Sequence, residues 1–254
     1  MGAADVVPGV SGGTIAFIAG IYEELIETIH KLDLGFFKIW KKEGLKTAWA
    51  TYNLNFLVAL FSGVFISLLS LSKVIKWLLE EHPILVWSFF FGLVIASILY
   101  VGKQITNWNV KVVIGLLIAA AFAYFITLAK PIGSPDSSWF LLLAGFIAII
   151  AMILPGISGA FILLLLGAYE MVIGILSDLS DGITRMDSEL LISAIGRLLI
   201  FAIGAIVGLK VFSRALNYMF KNFKNITLAV LTGFMIGALN KIWPWKEVLE
   251  YRIN

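Results

Sequence analysis

The sequence predicts an all-α polytopic membrane protein built as two inverted repeats. Each repeat is read as a Pro-Gly-broken re-entrant helical hairpin followed by two transmembrane helices, and one linking helix joins the copies. Three observations carry this reading. The chain is far more apolar than a soluble protein, it holds several apolar runs of membrane-spanning length, and a Pro-Gly motif occurs twice at a constant offset.

Of the 254 residues, 60% are hydrophobic and 14% are charged. Soluble domains average about 45–50% and about 25%. With a mean hydropathy of +0.98, a soluble enzyme, a disordered chain and a fibre are all excluded. Eight Trp, seven Tyr and 19 Phe suit a protein with two lipid–water boundaries, where amphipathic rings collect. A β-barrel would alternate over segments of about 10 residues, whereas these runs are unbroken. Cysteine is absent, which removes disulfides, thiol catalysis and cysteine-ligated metals. No Lys or Arg precedes Lys31, so no signal-peptide basic region is expected.

About 20 apolar residues cross a bilayer as a helix. Leu54–Ser72, Ile84–Gly102, Val110–Ala129, Leu190–Leu209 and Ile226–Ile242 meet that test. Two further apolar regions, Gly2–Ile29 and Trp139–Leu176, are interrupted by the helix breaks Pro8-Gly9 and Pro155-Gly156. The interrupted regions are copies of one another. PGVSGGTIAFIAGIYE from Pro8 and PGISGAFILLLLGAYE from Pro155 align without a gap at an offset of 147, with eight of 16 positions identical. Chance gives roughly one or two, so this is an internal repeat. Past the hairpins the offset is 141, where Gly63-x-x-x-Ser67 falls on Gly204-x-x-x-Gly208 and Gly92-x-x-x-Ala96 on Gly233-x-x-x-Gly237. Such small-residue faces let membrane helices approach closely. The single membrane domain, residues 1–254, therefore divides into a first repeat over 4–101, a linking helix over 110–129 and a second repeat over 151–242.

One odd linking helix inverts the second copy. With the Lys31–Lys46 loop in the cytoplasm, 11 basic residues fall inside and seven outside, in accord with the positive-inside rule. The acidic Ser177–Glu189 loop falls outside. About 16 apolar residues precede the second break, but only seven residues precede the first. This asymmetry points to a start upstream of Met1.

Broken helices at membrane depth leave backbone groups that must be buried in protein or line a cavity. Two such breaks in inverted repeats point to a transporter's binding site. Ser11, Gly12, Gly13 and Thr14 open a new helix after the first break, and N–H groups at a helix start suit an anion. Ser158 and Gly159 repeat this, with Ala160 and Phe161 in place of Gly13 and Thr14, so weaker anion capacity is expected there. The alternative is a hairpin turn needing glycine only for tight packing. Arg197 alone among 19 basic residues falls within a predicted span. An intramembrane guanidinium faces a partner or a cavity and matches phosphate bidentately; the alternative is snorkelling to the interface. Asp5, Glu23 and Glu170 are candidates for proton coupling. The two glutamates are placed about 22 Å beyond their prolines, at about 1.5 Å per residue of continuous helix. Their other reading is helix capping, and Asp5's is a salt bridge to Arg197. His30 and His82 read as solvated loop residues without metal-ligand spacing. No Walker sequence, zinc-protease motif or Ser–His–Asp set is present, so no catalytic residue, metal or cofactor is expected.

These residues resemble a known family. Ala4-Asp5-Val6-Val7-Pro8-Gly9-Val10-Ser11-Gly12-Gly13-Thr14, then Leu154-Pro155-Gly156-Ile157-Ser158-Gly159 with Leu163–Gly167 and Tyr169, then Gly233–Gly237 and Trp243-Pro244-Trp245 are similar to three ordered motifs of the bacterial and archaeal polyprenyl-phosphate transporters, formerly a domain of unknown function. The likeness spans nearly the whole chain. Ala160, Asn240 where the family pattern has Arg, and the short N-terminus depart from it, and Asn240 removes an anion role from that helix end. The resemblance implies a cytoplasmic-membrane transporter that returns undecaprenyl phosphate, the lipid carrier of cell-wall precursors, from the outer to the inner leaflet. The partners it implies are the bilayer and that lipid, with no nucleic acid. The residues themselves leave open a carrier of small soluble anions, a membrane enzyme acting on lipid phosphates and a non-transporting scaffold.

Overall fold

A computed structural model describes residues 1–5, 7, 10–131, 133, 135 and 137–245. Pro8 and Gly9 of the first break, and Lys246 and Arg252 of the tail, lie outside the described residues. All regular structure among the described residues is helical. In chain order the helices are α1 (Gly2–Asp5), α2 (Gly12–Ile18), α3 (Tyr22–Lys31), α4 (Gly35–Glu43), α5 (Leu45–Thr51), α6 (Leu54–Glu81), α7 (Pro83–Gln104) and α8 (Val110–Leu128). They continue with α9 (Ser138–Ile153), α10 (Gly159–Leu165), α11 (Tyr169–Arg185), α12 (Ser188–Asn222) and α13 (Lys224–Ala238), which ends in a 3-10 turn at Leu239–Ile242.

Their boundaries follow from local chemistry. Pro83 begins α7, where a missing N–H costs nothing. Asn109 caps α8 by accepting from the Val112 N–H at 3.0 Å, and Ser137 caps α9 through Phe140 at 3.2 Å. Asp187 caps α12 through Glu189 and Leu190.

Five helices are long and apolar enough to cross a membrane: α6, α7, α8, α12 and α13 with its 3-10 turn; α10 and α11 add a sixth if taken as one span. The chain is a multi-pass membrane protein. More than half of the α13 window, 56%, is buried inside the protein, against 6% for α6. α13 is therefore the central helix, with Leu228, Ala229, Leu231 and Met235 shut inside it. α6 turns Phe61, Phe65 and Leu69 outward, as lipid contact requires.

Two span predictions need correction. The Leu190–Leu209 span runs from Ser188 to Asn222, 35 residues and about 50 Å at ~1.5 Å per residue. Most of the segment Lys210–Lys224, read as an inside loop, continues this helix as far as Asn222. Charged residues do not end a helix once it has left the lipid. The last span becomes a 3-10 turn at Leu239.

The small-residue faces are used unequally. A Cβ on Gly204 would overlap the Leu142 carbonyl, and one on Gly208 would lie 2.6 Å from that of Phe146, because α9 lies against α12 there. Gly233 and Gly237 meet α8 at Leu116 and Ala120 in the same way. Gly63 and Gly92, their counterparts by sequence, have nothing within 4 Å. The expectation of equivalent packing in both copies is met only in the second. α9 and α8 cover its two spans, whereas the first-copy glycines face no neighbour.

Candidate functional site

The two broken regions have the same backbone course. Ser11 precedes α2 at φ −109°, ψ 132°, and Ser158 precedes α10 at φ −97°, ψ 132°. Each short helix has seven residues and ends just before a left-handed glycine, Gly20 at φ 72° and Gly167 at φ 71°. Only glycine takes that conformation without strain. The next helix then starts at Tyr22 or Tyr169. At the second site the chain turns by 109° between α10 and α11. The continuous helix assumed for Glu23 and Glu170 is therefore absent. Both glutamates sit in the first turn of a new helix, where a carboxylate favours the dipole. Glu23 also pairs with Lys224 of α13 at 2.8 Å.

Side chains of α2 and α3 and of Ser11 before them satisfy backbone groups of the second break. The last turn of α9 leaves carbonyls without intrahelical partners. Ser11 Oγ donates to the Leu154 carbonyl at 3.2 Å, and the Tyr22 hydroxyl donates to that of Ile153 at 3.1 Å. The Gly156 N–H donates to Thr14 Oγ1 at 3.0 Å. Gly13 is where the two chains come closest, for a Cβ there would lie 2.6 Å from the Ile153 carbonyl. Thr14 is fully buried. Thr14, Gly13 and part of Ser11 thus hold the second break in place.

The start of α2 is already occupied by the chain's own groups. Gly12 N–H donates to Asp5 Oδ1 at 2.7 Å, and Gly13 N–H to Ser11 Oγ at 3.1 Å. Both N–H groups are thus engaged within the chain. Ser158 makes no side-chain cap, so the second helix start is the more open one.

A cavity of about 280 Å³ joins the breaks, with Asp5, Ser11, Ser158, Gly159 and Ala160 on its polar side. Gly145 and Met152 of α9 and Phe201 and Ala205 of α12 form its apolar wall. Met152 and Ala160 are exposed, so this cleft is open to the protein surface rather than closed over.

Arg197 does not line the cleft. It stands one helical turn from Phe201, and its guanidinium pairs with Asp178 of α11. The expected Asp5–Arg197 bridge is not formed: Asp178 of α11 takes the guanidinium, and Asp5 accepts from the Gly12 N–H. Arg197 Nε is buried without a hydrogen-bond partner in the described structure. His30 lies on α3, inside a helix rather than a loop. No group of three or more His, Cys, Asp or Glu that could hold a metal occurs among the described residues.

Sequence reasoning missed Asp178, Phe201 and the capping role of Tyr22. Tyr22 carried a signal, since it recurs as Tyr169 in the repeat. Asp178 was one of several acids in a segment read as a loop and is instead helical.

The described residues form a helical, multi-pass membrane protein with a cleft beside the starts of α2 and α10, and the comparisons place it among transporters. The family can be stated as well. The model of the undecaprenyl phosphate translocase-like family matches residues 1–254, and the chain belongs to that family. A protein of Vibrio cholerae named polyprenyl-phosphate transporter is 46% identical over 254 residues, all of this chain and 78% of that protein. One of the same name from Staphylococcus aureus is 31% identical, over 96% of this chain and 83% of its own length. No solved structure matches. These names describe transporters, not enzymes.

Proposed function

We propose that this chain translocates undecaprenyl phosphate across the cytoplasmic membrane, returning the carrier to the inner leaflet. The relatives named for polyprenyl phosphate support the substrate. The observation that carries the mechanism is the open cleft lined by Asp5, Ser11 and Ser158 and walled by Met152 and Phe201, which this reading opens to the lipid. A lipid phosphate needs a polar pocket for its head while its tail stays in lipid. A small soluble anion would need a pocket closed to the bilayer.

In this reading the copies act as inverted repeats with re-entrant hairpins, and one rocks against the other around the cleft. The phosphate rests beside Ser158 and Gly159, with Ser11 on the facing side. Arg197, one turn beyond Phe201 and paired with Asp178, serves as counter-charge by exchanging that carboxylate for the phosphate. Ser11, Gly12, Gly13 and Thr14 shape the cleft by holding the opposing break.

Asp5 is the carboxylate of the three candidates that faces the cleft. Two like charges about 4 Å apart repel by about 4 kcal/mol at an effective dielectric near 20. A phosphate anion therefore enters most easily when Asp5 carries a proton, and this couples transport to protons. Glu23 and Glu170 serve helix starts. The test is translocation of polyprenyl phosphate in proteoliposomes of the purified chain under an imposed pH gradient. Asp5→Asn should retain transport but lose its dependence on the gradient. A rate independent of pH in the wild-type chain would sink the coupling, and no translocation at all would sink the function.

A further inference from the structure

A different concavity lies between the end of α3 and the far part of α12. It encloses about 720 Å³, and His30, Lys31, Lys210 and Arg214 line it together with Asp33. An adjoining hollow of about 650 Å³ shares His30 and Arg214 and reaches Lys221. Lys210, Arg214 and Lys221 recur at spacings of four and seven, which puts them along one side of α12. Lys210 Nζ donates to the Ile29 and His30 carbonyls at 3.0 and 3.3 Å. This caps the end of α3 and fixes the two walls relative to each other.

The acids nearby leave this charge undercompensated. Asp33 accepts from the Tyr52 hydroxyl at 2.6 Å and the Gly35 N–H at 2.8 Å. Glu27 pairs with Lys31 at 3.0 Å on the outer surface. Arg214 and Lys221 have no carboxylate partner among the described residues. Burial, and then the charges of Arg214, Lys210 and Lys221, push the His30 pKa below its usual value. Four permanent cations thus face two carboxylates that are already engaged. Val211 and Tyr218 are exposed beside them, and an exposed tyrosine at the end of an apolar span marks the lipid–water boundary.

We propose that this basic trough is a binding site for a phosphate monoester at the membrane surface, separate from the cleft between the breaks. The Arg214 fork takes two phosphate oxygens, as a guanidinium does. Lys221 and the His30 N–H reach the rest. The phosphate comes either from a lipid head group or from free phosphate. The site stands whether or not the chain carries polyprenyl phosphate, since none of its lining residues lines the cleft.

The test uses the full chain purified in detergent and native mass spectrometry with phosphatidic acid, against phosphatidylcholine as the reference lipid. The double variant Arg214→Gln/Lys221→Gln should weaken phosphatidic acid binding about tenfold or more, each lost charge-assisted contact being worth roughly that. Lys38→Gln/Lys42→Gln removes the same charge from α4 and should change it less than about twofold. Competition by inorganic phosphate identifies a free-phosphate site, and resistance to it identifies a lipid head group; both outcomes support the trough. Equal losses in the two double variants, or no loss in either, would overturn it. Should the trough variant fail to insert, the wild-type chain gives a second readout. Phosphatidic acid should slow phenylglyoxal modification of Arg214, and equal modification in both lipids would overturn the proposal.

Discussion

Replacing Thr14 by Val tests whether α2 holds the second break. Valine has nearly the shape of threonine but no acceptor. Thr14 Oγ1 takes the Gly156 N–H at 3.0 Å, and the threonine has no exposed surface. The Gly156 donor, itself part-buried, then faces a methyl group on that side. Leaving a buried donor unsatisfied costs about 1–3 kcal/mol. At about 1.4 kcal/mol per decade, hydrogen exchange at Gly156 should accelerate about 5–150-fold. Thr14→Ser keeps the hydroxyl and should stay within a few-fold of the wild type. The assay is hydrogen–deuterium exchange of the detergent-solubilised chain, read on the peptide spanning the second break. If the valine variant exchanges at the wild-type rate, the Thr14–Gly156 bond does not hold the second break, and the support argument fails.

Three further outcomes follow from the geometry. Gly204→Ala should destabilise the chain by about 1–3 kcal/mol through overpacking against α9, whereas Gly63→Ala, with open space around it, should be neutral or stabilising by up to about 1 kcal/mol from helix propensity; reversible unfolding in detergent compares them. A double-mutant cycle on Arg197 and Asp178, both more than a third exposed, should give a coupling of about 0.5–1 kcal/mol after solvent screening; zero coupling would show that the pair does not hold α11 to α12. The Tyr52 hydroxyl, and then the Gly35 N–H, hold the Asp33 pKa below its usual value. That contribution is present above the unfolded aspartate pKa of about 3.9 and is lost as the pH falls through the lower folded value. Carboxyl NMR should show the depressed midpoint, and Tyr52→Phe should raise it.

What was legible in the sequence was local. The repeat, the helix breaks and the apolar spans depend on neighbours a few residues away. Contacts across the fold were not legible. Ser11 and Leu154 are 143 positions apart, and nothing in either motif says that one break supplies hydroxyls to the other's carbonyls. The same limit hid Asp178, whose claim on Arg197 depends on how α11 lies against α12. Lys210, Arg214 and Lys221 were read as a loop because charge was equated with the end of the span. A helix leaving the bilayer carries charge readily, and the basic trough is the result. The 22 Å placement of Glu23 failed at Gly20, whose positive φ ends α2 before the glutamate is reached.

The most direct test is the amount of undecaprenyl phosphate exposed on the outer leaflet of cells lacking this protein and any redundant transporter. A probe specific for the outward-facing phosphate reports it. The pool should rise on depletion and fall again when the wild-type chain is supplied. Ala160→Trp, which fills the 280 Å³ cleft from an exposed position, should insert normally and leave the pool high. A pool unchanged by depletion would contradict the lipid substrate, and a pool lowered by Ala160→Trp as well as by the wild type would remove the cleft from the path.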